Sequence, residues 1–191
     1  KGGIKLLEDS LPEAEIAYAG NPRELLTRYA NLSTHYLQAS RLDEASALLT
    51  RGERLAQRSG NSATAAGLMI QLHRGTLQLR RGDAAGAYAQ YNRVANVRRE
   101  LYGPSAGMGY DLVQVGTAQL ALRRYADAIK SFDEAIPMVN TYLGPTTEPA
   151  FHARIARAEA LAETGRLPDA QAELDRVRTD LARVKKDPAG N

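Results

Sequence analysis

The sequence predicts an all-α fold, an α-solenoid of helix hairpins, and three observations predict it. The first is a repeat. Arg41-Leu42-Asp43-Glu44-Ala45, Asp83-Ala84-Ala85-Gly86-Ala87, Arg124-Tyr125-Ala126-Asp127-Ala128 and Arg166-Leu167-Pro168-Asp169-Ala170 end on alanines spaced 42, 41 and 42 residues apart. A fixed period of that size means stacked supersecondary units rather than one globular core. The second is side-chain size at fixed offsets from those alanines. Four residues after them stand Leu49, Tyr91, Phe132 and Leu174, and seven after stand Gly52, Val94, Ala135 and Val177. That spacing lays a stripe on one helix face. Twelve before stand the small residues Ser33, Gly75, Gly116 and Ala158, and eight before stand Leu37, Leu79, Leu120 and Ala162. Each unit therefore holds one helix before its turn and one after, brought close by small residues on both. The third is the absence of β-branched alternation, which leaves no credible strand.

The elements follow in order. Asn21-Pro22-Arg23-Glu24 joins a cap, an initiating proline and a reaching glutamate, which marks a helix start. Gly20, Gly60, Gly103 and Gly144 close helical patterns in the left-handed conformation, and Pro104 and Pro145 stop continuation. Helices are predicted at 4–19, 22–39, 42–58, 62–80, 83–101, 106–122, 125–142, 147–164 and 167–185. They group into one repeat domain over 1–191, with a leading helix at 1–21, repeats at 22–61, 62–104, 105–145 and 146–185, and a tail at 186–191. The opening Lys1-Gly2-Gly3 and the closing Pro188-Ala189-Gly190-Asn191 read as those of a piece of a larger protein.

Composition narrows the chemistry. With 43% hydrophobic and 25% charged residues the chain can bury a core. It contains no cysteine, which removes disulfides, thiol catalysis and cysteine-ligated metals. A net charge of +3 comes from interspersed acids and bases, so no nucleic-acid partner is expected. The doublets Arg80-Arg81, Arg98-Arg99, Arg123-Arg124 and Lys185-Lys186 read as solvated helix ends. No apolar run is long enough for membrane insertion, and no leader peptide is apparent. The expected compartment is the cytoplasm, with an extracytoplasmic segment of a membrane-anchored protein as the alternative.

The run Arg124-Tyr125-Ala126-Asp127-Ala128-Ile129-Lys130-Ser131-Phe132-Asp133-Glu134-Ala135-Ile136 resembles the second helix of a tetratricopeptide repeat (TPR), and Gly116 and Leu120 match that family's first helix. The usual unit has about 34 residues. The longer period here, with Leu101-Tyr102-Gly103-Pro104 and Tyr142-Leu143-Gly144-Pro145 between units, resembles the kinesin-light-chain variant and repeats in bacterial multidomain signalling proteins. Ile4 to Ala47 is similar to the entry into repeats that follow bacterial Ser/Thr kinase domains. The resemblance implies a right-handed stack of about four TPR-like hairpins after one N-terminal helix, with first helices lining a concave, partner-binding face. Two departures stand out. Gly52 replaces the usual small apolar residue, and Arg154 and Arg157 sit on the fourth first helix, as a polar cap or a face once covered by further repeats.

Function is expected on those first helices. Offsets of eighteen, fourteen, eleven and seven before each alanine collect Met69, Tyr110 and His152 with Thr27; Asn31, His73 and Gln114 with Ala156; Thr34, Thr76 and Thr117 with Glu159; and Gln38 and Arg80 with Ala121 and Glu163. This is a mostly neutral, hydrogen-bonding stripe suited to a peptide backbone. Its bland alternative is an empty solvated face. His73 and His152 read as groove polar groups and His35 as a surface or interhelix residue. The three histidines lack metal-site spacing, so no metal or cofactor is expected. Gly103-Pro104-Ser105-Ala106-Gly107-Met108-Gly109 lacks a phosphate loop's ending and reads as an inter-unit loop. Asp9, Glu13, Glu15 and Asp133-Glu134 read as solvating carboxylates, and no nucleophile constellation is present, so no enzyme is expected. The leading expectation is a scaffold taking a peptide or partner helix within a larger signalling or regulatory protein. The alternatives are self-association through residues such as Leu6, Leu7, Leu11 or Leu181, and a ligand-sensing domain of a kinase or transcription regulator.

Overall fold

The computed structural model describes residues 2–186. Lys1 and residues 187–191 of the predicted tail at 186–191 lie outside the described residues, as do the side chains of Lys185 and Lys186. Nine helices occur among the described residues and no strand. They are α1 (Gly2–Ala17), α2 (Pro22–Gln38), α3 (Leu42–Arg58), α4 (Ala65–Arg80), α5 (Ala84–Tyr102), α6 (Ala106–Ala121), α7 (Tyr125–Tyr142), α8 (Glu148–Glu163) and α9 (Leu167–Lys186). Every predicted helix is present. The largest difference is at α4, which starts at Ala65 rather than at 62. There Thr64 Oγ1 accepts from Gly67 N at 3.3 Å and donates to Asn61 O at 2.7 Å, tying 61–64 into a capped turn.

The chain divides into two compact units, Lys1–Gln90 and Tyr91–Asn191, with the division inside α5. The core of the first unit gathers Leu25, Leu26, Tyr29, Leu32, Leu48, Leu49, Ile70 and Leu77 from α2, α3 and α4, with Ile4, Leu7, Leu11 and Tyr18 packed against it from the N-terminal side. The core of the second gathers Met108, Leu112, Val113, Phe132, Val139 and Leu161 with a run of alanines on α8.

The turn inside every hairpin is built the same way. Ser40, Gly82, Arg123 and Gly165 stand five residues before the repeated alanines, and all four have positive φ, between 57° and 87°. In each, the following N–H reaches back across the turn: Arg41 N to Tyr36 O, Asp83 N to Gln78 O, Arg124 N to Gln119 O and Arg166 N to Leu161 O, at 2.8–2.9 Å. This double-bonded stop satisfies the last carbonyls of the first helix. Gly60, Gly103 and Gly144 close second helices in the same conformation, as expected. Gly20 does not: it carries no positive φ, and α1 ends at Ala17 with Asn21 N bonded to Tyr18 O at 2.9 Å.

Second helices then restart by one of two devices. In three hairpins an arginine at the cap grips an acid three residues on: Arg41–Glu44 at 2.8 Å, Arg124–Asp127 at 2.7 Å and Arg166–Asp169 at 2.7 Å. In the remaining one Asp83 caps directly, its Oδ1 accepting from Gly86 N at 2.8 Å. A Cβ on residue 86 would collide with that carboxylate, which explains the glycine.

The repeated alanines Ala45, Ala87, Ala128 and Ala170 are all buried, as are Ser33, Gly75, Gly116 and Ala158. Leu49, Tyr91 and Phe132, four residues beyond the alanines, are fully buried. The matching Leu174 is 39% exposed, and Ala162 is exposed where Leu37 is buried. Gly52 departs from the repeat because Ile70 of α4 fills its place: a Cβ there would sit 2.9 Å from Ile70 Cδ1.

A Cβ on Gly116 would lie 2.7 Å from the Phe132 ring, which has no free space around it. Helix propensity favours alanine over glycine by about 1 kcal/mol, while overpacking costs about 1–3 kcal/mol. Gly116→Ala is therefore expected to lower stability in urea melts. In a Phe132→Leu background the same change is expected to raise it.

Candidate functional site: the outer stripe of the first helices

In the first unit the predicted residues lie on α2 and α4; in the second, taken by itself, they lie on α6 and α8. On α2, Asn31 and Gln38 are exposed and Thr34 half-buried; on α4, Arg80 is exposed, and Met69 and Thr76 are half-buried. Thr27 on α2 is also exposed. On α6, Tyr110, Gln114 and Thr117 are half-buried, and on α8 His152 and Glu159 are exposed.

The hydroxyls on this stripe are committed to their own helices. Thr34 Oγ1 donates to Ala30 O at 3.1 Å, Thr76 Oγ1 to Leu72 O at 3.3 Å and Thr117 Oγ1 to Val113 O at 2.8 Å. A hydroxyl bonded one turn back presents only its lone pairs outward. Outward donors on the stripe include the amides of Asn31, Gln38 and Gln114, the phenol of Tyr110 and the guanidinium of Arg80. Arg80 Nη2 already donates to Ser40 Oγ at 2.8 Å, which holds its head at the hairpin turn. The phenol of Tyr110 has a raised pKa, through burial first and then the Glu148 and Asp111 carboxylates, so it stays protonated.

His73 is not an accessible groove group. It is 8% exposed, wedged between α4 and α2, with Nδ1 2.7 Å from Ser33 Oγ and Nε2 3.4 Å from Thr34 Oγ1. Ser33 Oγ also bonds Ala30 O at 2.8 Å. Burial holds the imidazole neutral, with its pKa pushed down to about 4. It is an interhelix strut. His35 and His152 are exposed.

Several charged residues do more than solvate. Arg98 is buried, with Nε 2.6 Å from Asp111 Oδ2 across α5 and α6, and Asp111 Oδ1 has no donor among the described residues. Burial pushes the Asp111 carboxyl up to about 6 against the pull of Arg98. This corrects the reading of Arg98-Arg99 as a solvated end. The available signal was Gly107: a Cβ there would come within 2.7 Å of Arg98 Nη1, so the glycine makes room for the guanidinium. The expected inter-unit loop likewise ends early: Ser105 caps α6, so Gly107 and Gly109 are helical. Arg154 is no outer-face residue. It is buried against α9, 2.8 Å from Glu173 and 2.7 Å from Asp180. Arg157 binds Asp133 at 2.6 Å and Glu173 at 3.2 Å, and Arg99 binds Glu134 at 2.8 Å. Arg123-Arg124 marks a turn and a helix start, and Arg81 reaches Asp43 at 2.7 Å. Among the described residues, no three His, Asp or Glu side chains converge as a cation site, and no helix is long and apolar enough to cross a membrane.

The comparisons with known proteins bear on the fold. No family model and no curated protein matches the chain. Solved structures do. BtubC (BKLC) from P. vanneervenii aligns at TM-score 0.82 with 16% identity, over 96% of this chain and 75% of that one. A putative kinesin light chain from Podosopora anserina with nearly identical TPR-like repeats aligns at TM-score 0.67 with 16% identity, over 95% and 86%. A point-substituted form of that protein aligns at TM-score 0.70 with 16% identity, over 96% and 87%. The fold is that of a TPR-like helical repeat.

Two outcomes are expected. His73 is neutral in the folded chain and takes a proton more readily when unfolded. Its contribution is whole above pH 6.5 and is lost as pH falls through about 4, roughly 3 kcal/mol in all. In urea melts the stability gap between the native chain and His73→Gln should shrink by about that amount from pH 7 to pH 4. Removing one partner of the buried pair by Arg98→Ala should cost about 3–5 kcal/mol, and Arg98→Met with Asp111→Leu should recover most of it.

Proposed function

We propose that the chain is a protein-interaction scaffold whose first helices take an extended peptide or a partner helix. The observation that carries this reading is the stripe itself. The first helices keep Asn31, Gln38, Arg80 and His152 exposed, with Gln38 and Arg80 at the same register, seven residues before the repeated alanine. Those side chains and the partly exposed Gln114 and Tyr110 supply donors, acceptors and one aromatic face without a strong net charge, which suits a peptide backbone. The TPR-like fold supports a binding rather than a catalytic role. The resemblance of the repeat to those of bacterial signalling proteins supports placing the scaffold in a larger regulatory protein.

A second reading is self-association through α9. Leu167, Leu174 and Leu181 stand seven residues apart and are all exposed, and Leu174 occupies the register at which Leu49 and Phe132 are fully buried. A second copy covering that face would bury it.

Peptides selected from a displayed library should lose at least tenfold in affinity on Asn31→Ala with Gln38→Ala, or on Tyr110→Ala with Gln114→Ala, with circular dichroism unchanged. Affinity untouched by both pairs removes the first-helix site. Light scattering that shows a dimer, lost on Leu174→Asp, favours assembly through α9.

A further inference from the structure

The N-terminal helix α1 is held on the first unit by a device that occurs twice. α1 and α2 run antiparallel, so Glu15 meets Tyr29 and Glu8 meets Tyr36, each pair of residues being seven apart in its own helix. Tyr29 Oη donates to Glu15 Oε1 at 2.7 Å, and Arg51 of α3 pairs with the same carboxylate oxygen. Tyr36 Oη donates to Glu8 Oε1 at 2.9 Å, and Arg41 Nη2 lies 2.7 Å from that oxygen. Each guanidinium also lies over the ring of its own tyrosine, 5.4 Å from the Tyr29 centroid and 4.7 Å from that of Tyr36. Phenol, guanidinium and carboxylate thus form the same three-part clamp two helical turns apart. Beside the clamps Ile4, Leu7 and Leu11 of α1 pack against the core.

The donor side of each clamp belongs to α2, to α3 and to Arg41, which caps α3. Arg41 is further fixed by Glu44, 2.8 Å from its Nε, and both tyrosines stay protonated, their phenols pushed up to about 12 by burial and by the carboxylates. Without α1 the surface would present two phenolic O–H groups and two guanidiniums, all donors, flanking an apolar seam. The carboxylates that satisfy it remain partly in water, with Glu8 29% and Glu15 30% exposed at the side chain. On its other side α1 leaves Leu6 and Ile16 in solvent, 71% and 80% exposed, so α1 is seated by one face alone.

We propose that this face of α2 and α3 is a docking site for an acidic amphipathic helix, occupied in cis by α1 and open to a helix of the same chemistry from a protein partner. The recognised pattern is an acid at positions i and i+7 with bulky aliphatics at i−4, i−1 and i+3, as Glu8, Glu15, Ile4, Leu7 and Leu11 stand here. The clamps read the two carboxylates and the seam reads the aliphatics. This site is separate from the outer stripe of Asn31 and Gln38 and stands whether or not that stripe binds a peptide.

The test uses the full chain and a fluorescein-labelled peptide of residues 3–19. Glu8→Ala with Glu15→Ala in the chain releases α1 from both clamps. The peptide is expected to bind that variant at least tenfold more tightly than the native chain, by anisotropy. A peptide carrying Glu8→Gln and Glu15→Gln is expected to bind the same variant at least tenfold more weakly than the native peptide. Adding Arg51→Glu to the chain should weaken the native peptide similarly. Should that change reduce helicity by circular dichroism, the glutamine peptide decides on the unaltered variant. Equal affinity for native and released chains, equal affinity of the two peptides, or no binding by either overturns the proposal. So does a native chain that is dimeric by light scattering through exchange of α1 between copies.

Discussion

How near two helices come within a hairpin governs the rest of the architecture. Ser33, Gly75, Gly116 and Ala158 on first helices, and Ala45, Ala87, Ala128 and Ala170 on second helices, are small and buried at the same register in every hairpin. Their smallness leaves room one turn further on, where Leu49, Tyr91 and Phe132 are wholly enclosed. Gly116 shows how tight the arrangement is, since even one methyl group would press on the Phe132 ring. A partner that meets the first helix alone therefore meets the side turned away from this contact.

The architecture was legible because it is written in side-chain size at a constant spacing. Volume at a buried site is a strong constraint, so small residues recur where backbones meet and large ones where gaps must be filled. Helix ends were legible for the same kind of reason: Gly60, Gly103 and Gly144 adopt backbone angles that other residues resist. The hairpin turns were harder to see. Two of their four left-handed positions are glycine, but Ser40 and Arg123 hide the pattern behind side chains that endure the strain. The start of α4 was misplaced because Thr64 was not weighed as a cap against the helix-compatible residues before it.

Charge was read least well, for a physical reason. A sequence shows that arginine is present but not whether its partner lies across a helix interface. Arg98, Arg154 and Arg157 find acids 13, 19 and 24 residues away, distances that no local rule links. Glu15 looked like one more solvating carboxylate until α2 and α3 brought Tyr29 and Arg51 to it. Of the residues predicted for the stripe, His73 belongs to the interior because its partner, Ser33, lies 40 residues earlier on the neighbouring helix.

Because the hydrogen bond that closes each hairpin turn joins main-chain atoms, the joint tolerates different side chains around it. Arg41, Asp83, Arg124 and Arg166 all follow that turn, yet they start the next helix by two different means without altering how the preceding one stops. Geometry is thereby inherited from one hairpin to the next while surface chemistry drifts. A chain made this way can acquire new specificities residue by residue, since the pitch of its helices is not at stake when its exterior is rewritten.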